Sequence, residues 1–160
     1  MHANQQLTVR DIMSRDVKTV SPETLLRDVA LLLATHHISG APVVDAAGRV
    51  VGVISESDLI NEHKRRGAIP AQAVFGVYPV HEGLLQHAYE GGMACPVRSV
   101  MSHRVTTALP DTPLTELADL MVADDINRVP IVEEDGRLVG IVARADILRT
   151  LVAARSEQPA

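Results

Sequence analysis

Tryptophan is absent and aromatic residues make up only 2% of the 160 residues. A core built from this chain therefore has to be aliphatic, drawn from the Val, Leu, Ile, Ala and Met that dominate its 46% hydrophobic fraction. All three aromatics, Phe75, Tyr78 and Tyr89, stand in one central stretch. A single cysteine, Cys95, excludes an internal disulfide. Two readings of that thiol stand, a reactive or intermolecular group and a buried, idle one. No His or Asp partner at a readable spacing favours the first. No apolar run reaches the roughly 18–20 residues of a membrane span. Residues 1–6 lack the basic and apolar regions of a signal peptide. Cytoplasmic localisation, away from membranes, is the expectation. Positive charge is also short: 15 Lys and Arg against 20 Asp and Glu give a net charge of -5. That balance argues against a nucleic-acid or anionic-membrane binder. Metal-ligand spacings, a phosphate-cradling glycine loop and a nucleophile elbow are all missing, so neither an intrinsic metal nor catalysis is expected. His36-His37 and Asp124-Asp125 are adjacent pairs, and adjacent residues do not converge on one helix face.

What the chain does have is a duplicate of itself. Shifted by 88 residues, positions 9–60 align with 97–148 without a gap, and 19 of the 52 pairs are identical. Met13-Ser14 falls on Met101-Ser102, Pro22 on Pro110, Pro42 on Pro130, Gly48-Arg49 on Gly136-Arg137, Gly52 on Gly140 and Asp58 on Asp146. The period is too long for a solenoid unit and fits two small sister domains. Each half alone is near the lower size limit for a stable domain, so a shared core about a pseudo-twofold axis is expected.

Each repeat reads as strand, helix, strand, strand, helix, an α+β pattern. The first strand is expected at residues 17–20 and 105–108. The first helix carries an apolar stripe at Leu26, Val29, Ala30, Leu33 and Ala34, repeated by Leu114, Leu117, Ala118, Met121 and Val122. Thr112 before Pro113 predicts an N-cap and first-turn pair. Hairpins follow, residues 41–45 with 49–54 and 129–133 with 137–142. They turn through Gly48 and Gly136, where positive φ is expected. Second helices start near Ser55 and Ala143. The first ends in the basic run His63-Lys64-Arg65-Arg66 before Gly67, a C-cap candidate. That run reads either as a partner or anion patch or as a cationic last turn that complements the helix dipole. Residues 67–95 have no counterpart in a repeat. They are too apolar for a disordered tether, and a short helix is expected around Leu84, Leu85, Ala88 and Tyr89. Lid, dimer contact and packing filler all remain open for them. The expected domains are residues 8–66 and 96–153.

The element order resembles that of the cystathionine-β-synthase (CBS) domain. So do the runs Ile-Ser-Gly-Ala-Pro-Val-Val-Asp at 38–45 and Gly-Val-Ile-Ser-Glu-Ser-Asp-Leu at 52–59. The second copy reads Ile-Asn-Arg-Val-Pro-Ile-Val-Glu at 126–133 and Gly-Ile-Val-Ala-Arg-Ala-Asp-Ile at 140–147. The doubled pattern resembles a stand-alone CBS pair, or Bateman module. That resemblance implies an adenosine compound in clefts between the two domains: AMP, ADP, ATP, S-adenosylmethionine or a dinucleotide such as NAD. It also implies a homodimer and a regulatory role toward a protein target that the sequence leaves unnamed.

In the family a Ser/Thr-x-x-Asp motif opens the second helix, with the Asp on ribose and the hydroxyl toward phosphate. Ser55-Glu56-Ser57-Asp58 matches in full. Chemistry agrees, because one carboxylate can accept hydrogen bonds from two neighbouring ribose hydroxyls, and charge-assisted bonds of this kind are strong. A phosphate there would also meet N–H groups at a helix N-terminus. The same spacing is that of a capping box, which needs no ligand. The second copy, Ala143-Arg144-Ala145-Asp146, lacks the hydroxyl for a reciprocal box yet keeps the carboxylate, as a ribose holder or a partner of the helix dipole. The family resemblance places basic residues at Arg128 and Arg144, aimed at phosphate; the other reading is a pair of exposed arginines. The first copy has Gly40 and Glu56 there, so unequal sites are expected. By the same resemblance, adenine would lie against Val17, Ile38, Ala41 and Pro42, or Val105, Ile126, Val129 and Pro130, each of which also reads as plain core. Clefts filled by side chains, in a protein that serves as a docking scaffold, are the alternative.

Overall fold

A computed structural model describes residues 6–66 and 94–156. The expected linker helix, the Gly67 cap and the three aromatics lie outside the described residues. So do the side chains of the basic run at 63–66. The described elements are helix α1 (Val9–Ile12), helix α2 (Leu26–His36), strands β1 (Gly40–Val44) and β2 (Val50–Ser55), and helix α3 (Glu56–Arg66). A 3₁₀ turn at Val97–Ser99 follows, then helix α4 (Leu114–Ala123), strands β3 (Arg128–Val132) and β4 (Leu138–Ala143), and helix α5 (Arg144–Ser156). β1 pairs with β2, and β3 with β4. The β3–β4 pairing is antiparallel from Arg128 opposite Ala143 to Ile131 opposite Gly140. It then slips so that Val132 faces Leu138.

The repeats and the compact units are not the same sets of residues. Unit 1 holds described residues 6–17, 47–50 and 106–156; unit 2 holds 18–46, 51–66 and 94–105. The segment ahead of each repeat's first helix has therefore joined the unit built on the other repeat's hairpin. In unit 1 the Val9 and Arg10 amides donate to the Thr112 and Pro110 carbonyls (2.9 and 2.8 Å), and Ser14 and Ile141 exchange both backbone bonds at 2.9 Å. In unit 2 the Val97 and Arg98 amides donate to Thr24 and Pro22 (2.8 and 2.9 Å), and Ser102 and Val53 exchange both bonds at 3.0 Å.

Those crossings explain two of the repeated motifs. A Cβ on Gly140 would lie 2.7 Å from Met13 Sδ and 3.0 Å from the Ser14 carbonyl oxygen. A Cβ on Gly52 would lie 2.7 Å from Met101 Sδ and 2.9 Å from the Ser102 carbonyl oxygen. Each hairpin glycine is a landing place for a Met-Ser pair, where only a residue without a side chain lets the backbones approach. Gly48 and Gly136 serve the turns, as expected, with φ of +81° and +87°.

The first strand of each repeat is corrected. It shrinks to one parallel bridge, Val20 to Val43 and Ala108 to Ile131. Val20 donates to the Pro42 carbonyl and accepts from Val44; Ala108 does the same with Pro130 and Val132. The next rung on one side would need an N–H from Pro42 or Pro130, and on the other side an N–H from Pro22 or Pro110. Proline has none, so the ladder cannot lengthen in either direction.

The cores are aliphatic, as the composition requires. Unit 1 buries Val9, Leu117, Met121, Val129, Ile131 and Val142 together; unit 2 buries Leu26, Val29, Leu33, Val43, Ile54 and Val97. Cys95 packs half-buried against the second cluster, in line with an idle thiol. The expected helix stripes are one position too wide, because Ala34 is exposed and its repeat mate Val122 is 77% exposed. The expected N-cap also moves. Pro113 is the capping residue of α4, without a side-chain bond, and the Thr112 hydroxyl accepts from the Leu109 amide at 3.1 Å, as Thr24 does from Ser21 at 3.0 Å.

Both first helices end in a left-handed residue that is not glycine, His37 (φ 52°) and Asp125 (φ 49°). The following amides, of Ile38 and Ile126, reach back to the Leu33 and Met121 carbonyls at 3.0 Å. His37→Gly is expected to raise stability by about 1 kcal/mol in chemical denaturation. Asp125→Gly should gain less, since Asp tolerates this conformation better and its carboxylate lies 3.9 Å from the Arg144 guanidinium.

Candidate functional site: two helix-start carboxylates

The hairpin strand β2 runs straight into α3, so Ser55 ends the strand and Asp58 sits in the helix's first turn. β4 and α5 repeat this with Ala143 and Asp146. Both aspartates are half-buried where β-sheet becomes helix.

In unit 2 the motif closes on itself. The Ser55 amide donates to Asp58 Oδ2 at 2.8 Å, the Ser55 hydroxyl donates to the same oxygen at 2.9 Å, and the Asp58 amide reaches Ser55 Oγ at 3.4 Å. This is a complete capping box. The Glu56 amide is taken by the Ser39 carbonyl at 2.9 Å, so few N–H groups at this helix start remain for an outside anion. Asp58 Oδ1 has no hydrogen-bond partner among the described residues. With two lone pairs, it is the oxygen that could accept from a ligand.

In unit 1 the Ala143 amide donates to Asp146 Oδ2 at 2.7 Å, half of the same box. Here the second oxygen is occupied, because the Arg149 guanidinium pairs with Asp146 Oδ1. The sequence reading missed Arg149. Its signal is the i,i+3 spacing from Asp146, which places opposite charges on one helix face.

The two expected phosphate arginines differ. Arg128 opens β3 and is half-buried. Arg144 opens α5, where its guanidinium donates to the Ile126 carbonyl at 3.2 Å. Both belong to unit 1, as does Asp146. Of the expected adenine walls, Ala41 and Pro42 are buried in unit 2, and Val129 and Pro130 in unit 1. Val17, Ile38, Val105 and Ile126 are partly exposed. Val17 closes the N-terminal segment of unit 1, and Val105 closes unit 2, so the chain passes from one unit to the other at repeat-equivalent positions.

Two open grooves lie elsewhere. One, of about 690 Å³ in unit 2, runs along Ser21, Pro22, Asp28, Leu32 and Asp45. The other, of about 630 Å³ in unit 1, runs along Arg10, Asp111, Glu133, Asp135 and Leu138. Neither contains any of the expected site residues. No group of His, Cys, Asp and Glu among the described residues is arranged to hold a metal ion, and none of their helices is long and apolar enough to cross a membrane.

The family profile of the CBS domain matches residues 9–65 and 97–153. Among solved structures, the CBS domain of a CBS domain-containing membrane protein from Sphaerobacter thermophilus is 35% identical. That likeness has a TM-score of 0.71 and covers 91% of this chain and 88% of the other. CBSX2 of Arabidopsis thaliana, solved in complex with AMP, is 25% identical with a TM-score of 0.71, covering 92% and 98%. The CBS domain pair of protein MJ0100 was solved in complex with 5′-methylthioadenosine and S-adenosyl-L-methionine. It is 25% identical with a TM-score of 0.67, covering 92% and 98%. Matched twice along its length and alike to these structures over about nine-tenths of it, the chain belongs to the CBS domain family as a tandem pair of α+β repeats.

Proposed function

We propose that this chain is a regulatory module, not an enzyme, that binds an adenine nucleotide or related adenosyl compound and passes the change to a protein partner. The observation that carries the reading is the pair of repeat-equivalent carboxylates at Asp58 and Asp146. One oxygen of each is fixed by a cap, and at Asp58 the other is left to accept from a ribose diol. Support comes from the related pairs solved with AMP and with 5′-methylthioadenosine and S-adenosyl-L-methionine. Ser55 contributes by holding the Asp58 carboxylate in place, or, where its hydroxyl turns from Asp58, by donating to phosphate, to which Arg128 and Arg144 are also assigned. Val17, Ile38, Val105 and Ile126, the partly exposed members of the expected walls, are assigned to the base.

The ligand acts by binding one arrangement of the protein better than another, since only differential affinity shifts such an equilibrium. A homodimer in the cytoplasm belongs to the same reading. Its support is an exposed apolar stripe on α5, where Leu148 and Leu151 are each 57% exposed and Val152 67%. That stripe also suits a docking scaffold with no nucleotide, the second reading, which the carboxylates' capping roles favour.

Thermal unfolding against AMP, ADP, ATP, S-adenosylmethionine and NAD, with and without Mg²⁺, separates the two. At 100-fold excess over its dissociation constant, a ligand of the native state adds about 2.7 kcal/mol, or roughly 5–10 °C for a chain of this size. The expected result is such a rise with one adenosyl compound, reduced by Asp58→Asn. A flat response from nucleotide-free, folded protein decides for the scaffold.

A further inference from the structure

The two carboxylates are alike in cap and unlike in surroundings. Asp146 is 20% exposed at its side chain and has both oxygens engaged, Oδ2 by the Ala143 amide and Oδ1 by Arg149. At the matching position in the first repeat stands Asn61, which carries no charge and makes no bond to Asp58 among the described residues. We infer that Arg149 is a built-in competitor at the second site: its guanidinium occupies the Asp146 oxygen that a ribose would need, so the hold of Asp146 on a ribose is weakened in a way that Asp58 escapes. This inference rests on the nucleotide reading above and adds a residue that tunes one of the two sites.

The size of the effect follows from exposure. Arg149 is 74% exposed, and an ion pair with one exposed partner is worth about 0.2–1 kcal/mol. A ribose that displaces the guanidinium gives up that much, a factor of about 1.5–5 in affinity. Arg149 therefore tunes the second site without closing it. The Ala143 position adds to the inequality, because it offers no hydroxyl where the first repeat has Ser55. Two arginines flank Asp146, and they are distinguished by their partners. Arg144 is turned to the Ile126 carbonyl, and Arg149 to the carboxylate itself.

The test is calorimetric titration with AMP, and in parallel with ATP and S-adenosylmethionine, on the full chain. Asp58→Asn silences the first site while its amide oxygen keeps a capping acceptor, leaving the second site to be read alone. Arg149→Met in that background keeps the apolar stem and removes the charge. At about 50 mM salt the expected result is a 1.5- to 5-fold tighter second site. The gain should shrink as salt rises, since screening already loosens the exposed pair. Unchanged or weaker binding in Asp58→Asn/Arg149→Met overturns the inference, the weaker case assigning Arg149 to the ligand. If the wild-type chain binds none of the three compounds, the nucleotide reading itself falls and takes this one with it. If the wild type binds and Arg149→Met changes nothing, only the competitor role is lost.

Discussion

A chain that begins at Lys18 is expected to lose the fold of unit 1 while the core residues of unit 2 stay protected. The removed segment carries Val9, which is fully buried, and Met13, which is 9% exposed. Burial of two such side chains is worth about 3–6 kcal/mol together. Also lost are the backbone bonds to Thr112, Pro110 and Ile141 and the one from Leu114 to the Leu7 carbonyl. At about 1 kcal/mol for each of the five bonds, the sum is on the order of 8–11 kcal/mol, comparable with the whole stability of a small domain. Amide hydrogen exchange is the measurement. Leu117, Met121, Ile131 and Val142 should exchange freely in the truncated chain, whereas Val29, Leu33 and Ile54 keep their protection. A synthetic peptide of residues 6–17 should restore the lost protection when added back. Persistent protection of unit 1 without that segment would show that its core closes unaided.

The second large effect is expected at the paired glycines. Gly140→Ala and Gly52→Ala each place a methyl carbon within about 3 Å of a backbone carbonyl oxygen, of Ser14 and Ser102 respectively. A methionine side chain can swing aside, but a carbonyl held in a two-bond bridge cannot move without breaking that bridge. The expected loss is about 1–3 kcal/mol for each substitution, read as a lower denaturation midpoint with an unchanged slope. Met13→Ala should not rescue Gly140→Ala, because the clash with Ser14 remains. Gly48→Ala is the contrast. A Cβ there meets nothing within 4 Å, so it suffers only from its φ of +81°, about 1 kcal/mol.

Much of this architecture was legible in the sequence, and the unread part has a common cause. Helical periodicity located α2 and α4, and glycine at the hairpin turns was read from its conformational freedom. Both depend on neighbours in the chain. The prolines that cut the first strands to single bridges were also visible, but the rung that each one blocks becomes apparent only once the partner strand is known. The Met-Ser motif was noted as a repeat identity without a role, because its contact is with a glycine more than a hundred positions away in one case and about fifty in the other. No local pattern encodes such a distance. At the candidate site the capping spacing and the two carboxylates were read correctly as placed at helix starts. Ala143, Gly40 and Glu56 marked the two copies as different in the sequence, whereas the Arg149 pair with Asp146 lay one turn further along α5 and was not read.

The exchange of leading segments also sets an order of events during synthesis. Every residue of unit 2 has left the ribosome once Val105 has emerged, so that unit can close on a partly made chain. Unit 1 cannot. Arg10 pairs with Asp111, 101 residues later, and Ser14 needs Ile141. At about 5–20 residues per second, the segment at residues 9–14 waits on the order of 5–20 s for its partners, with Val9 and Met13 uncovered. A segment translated before all of unit 2 is thus folded after it.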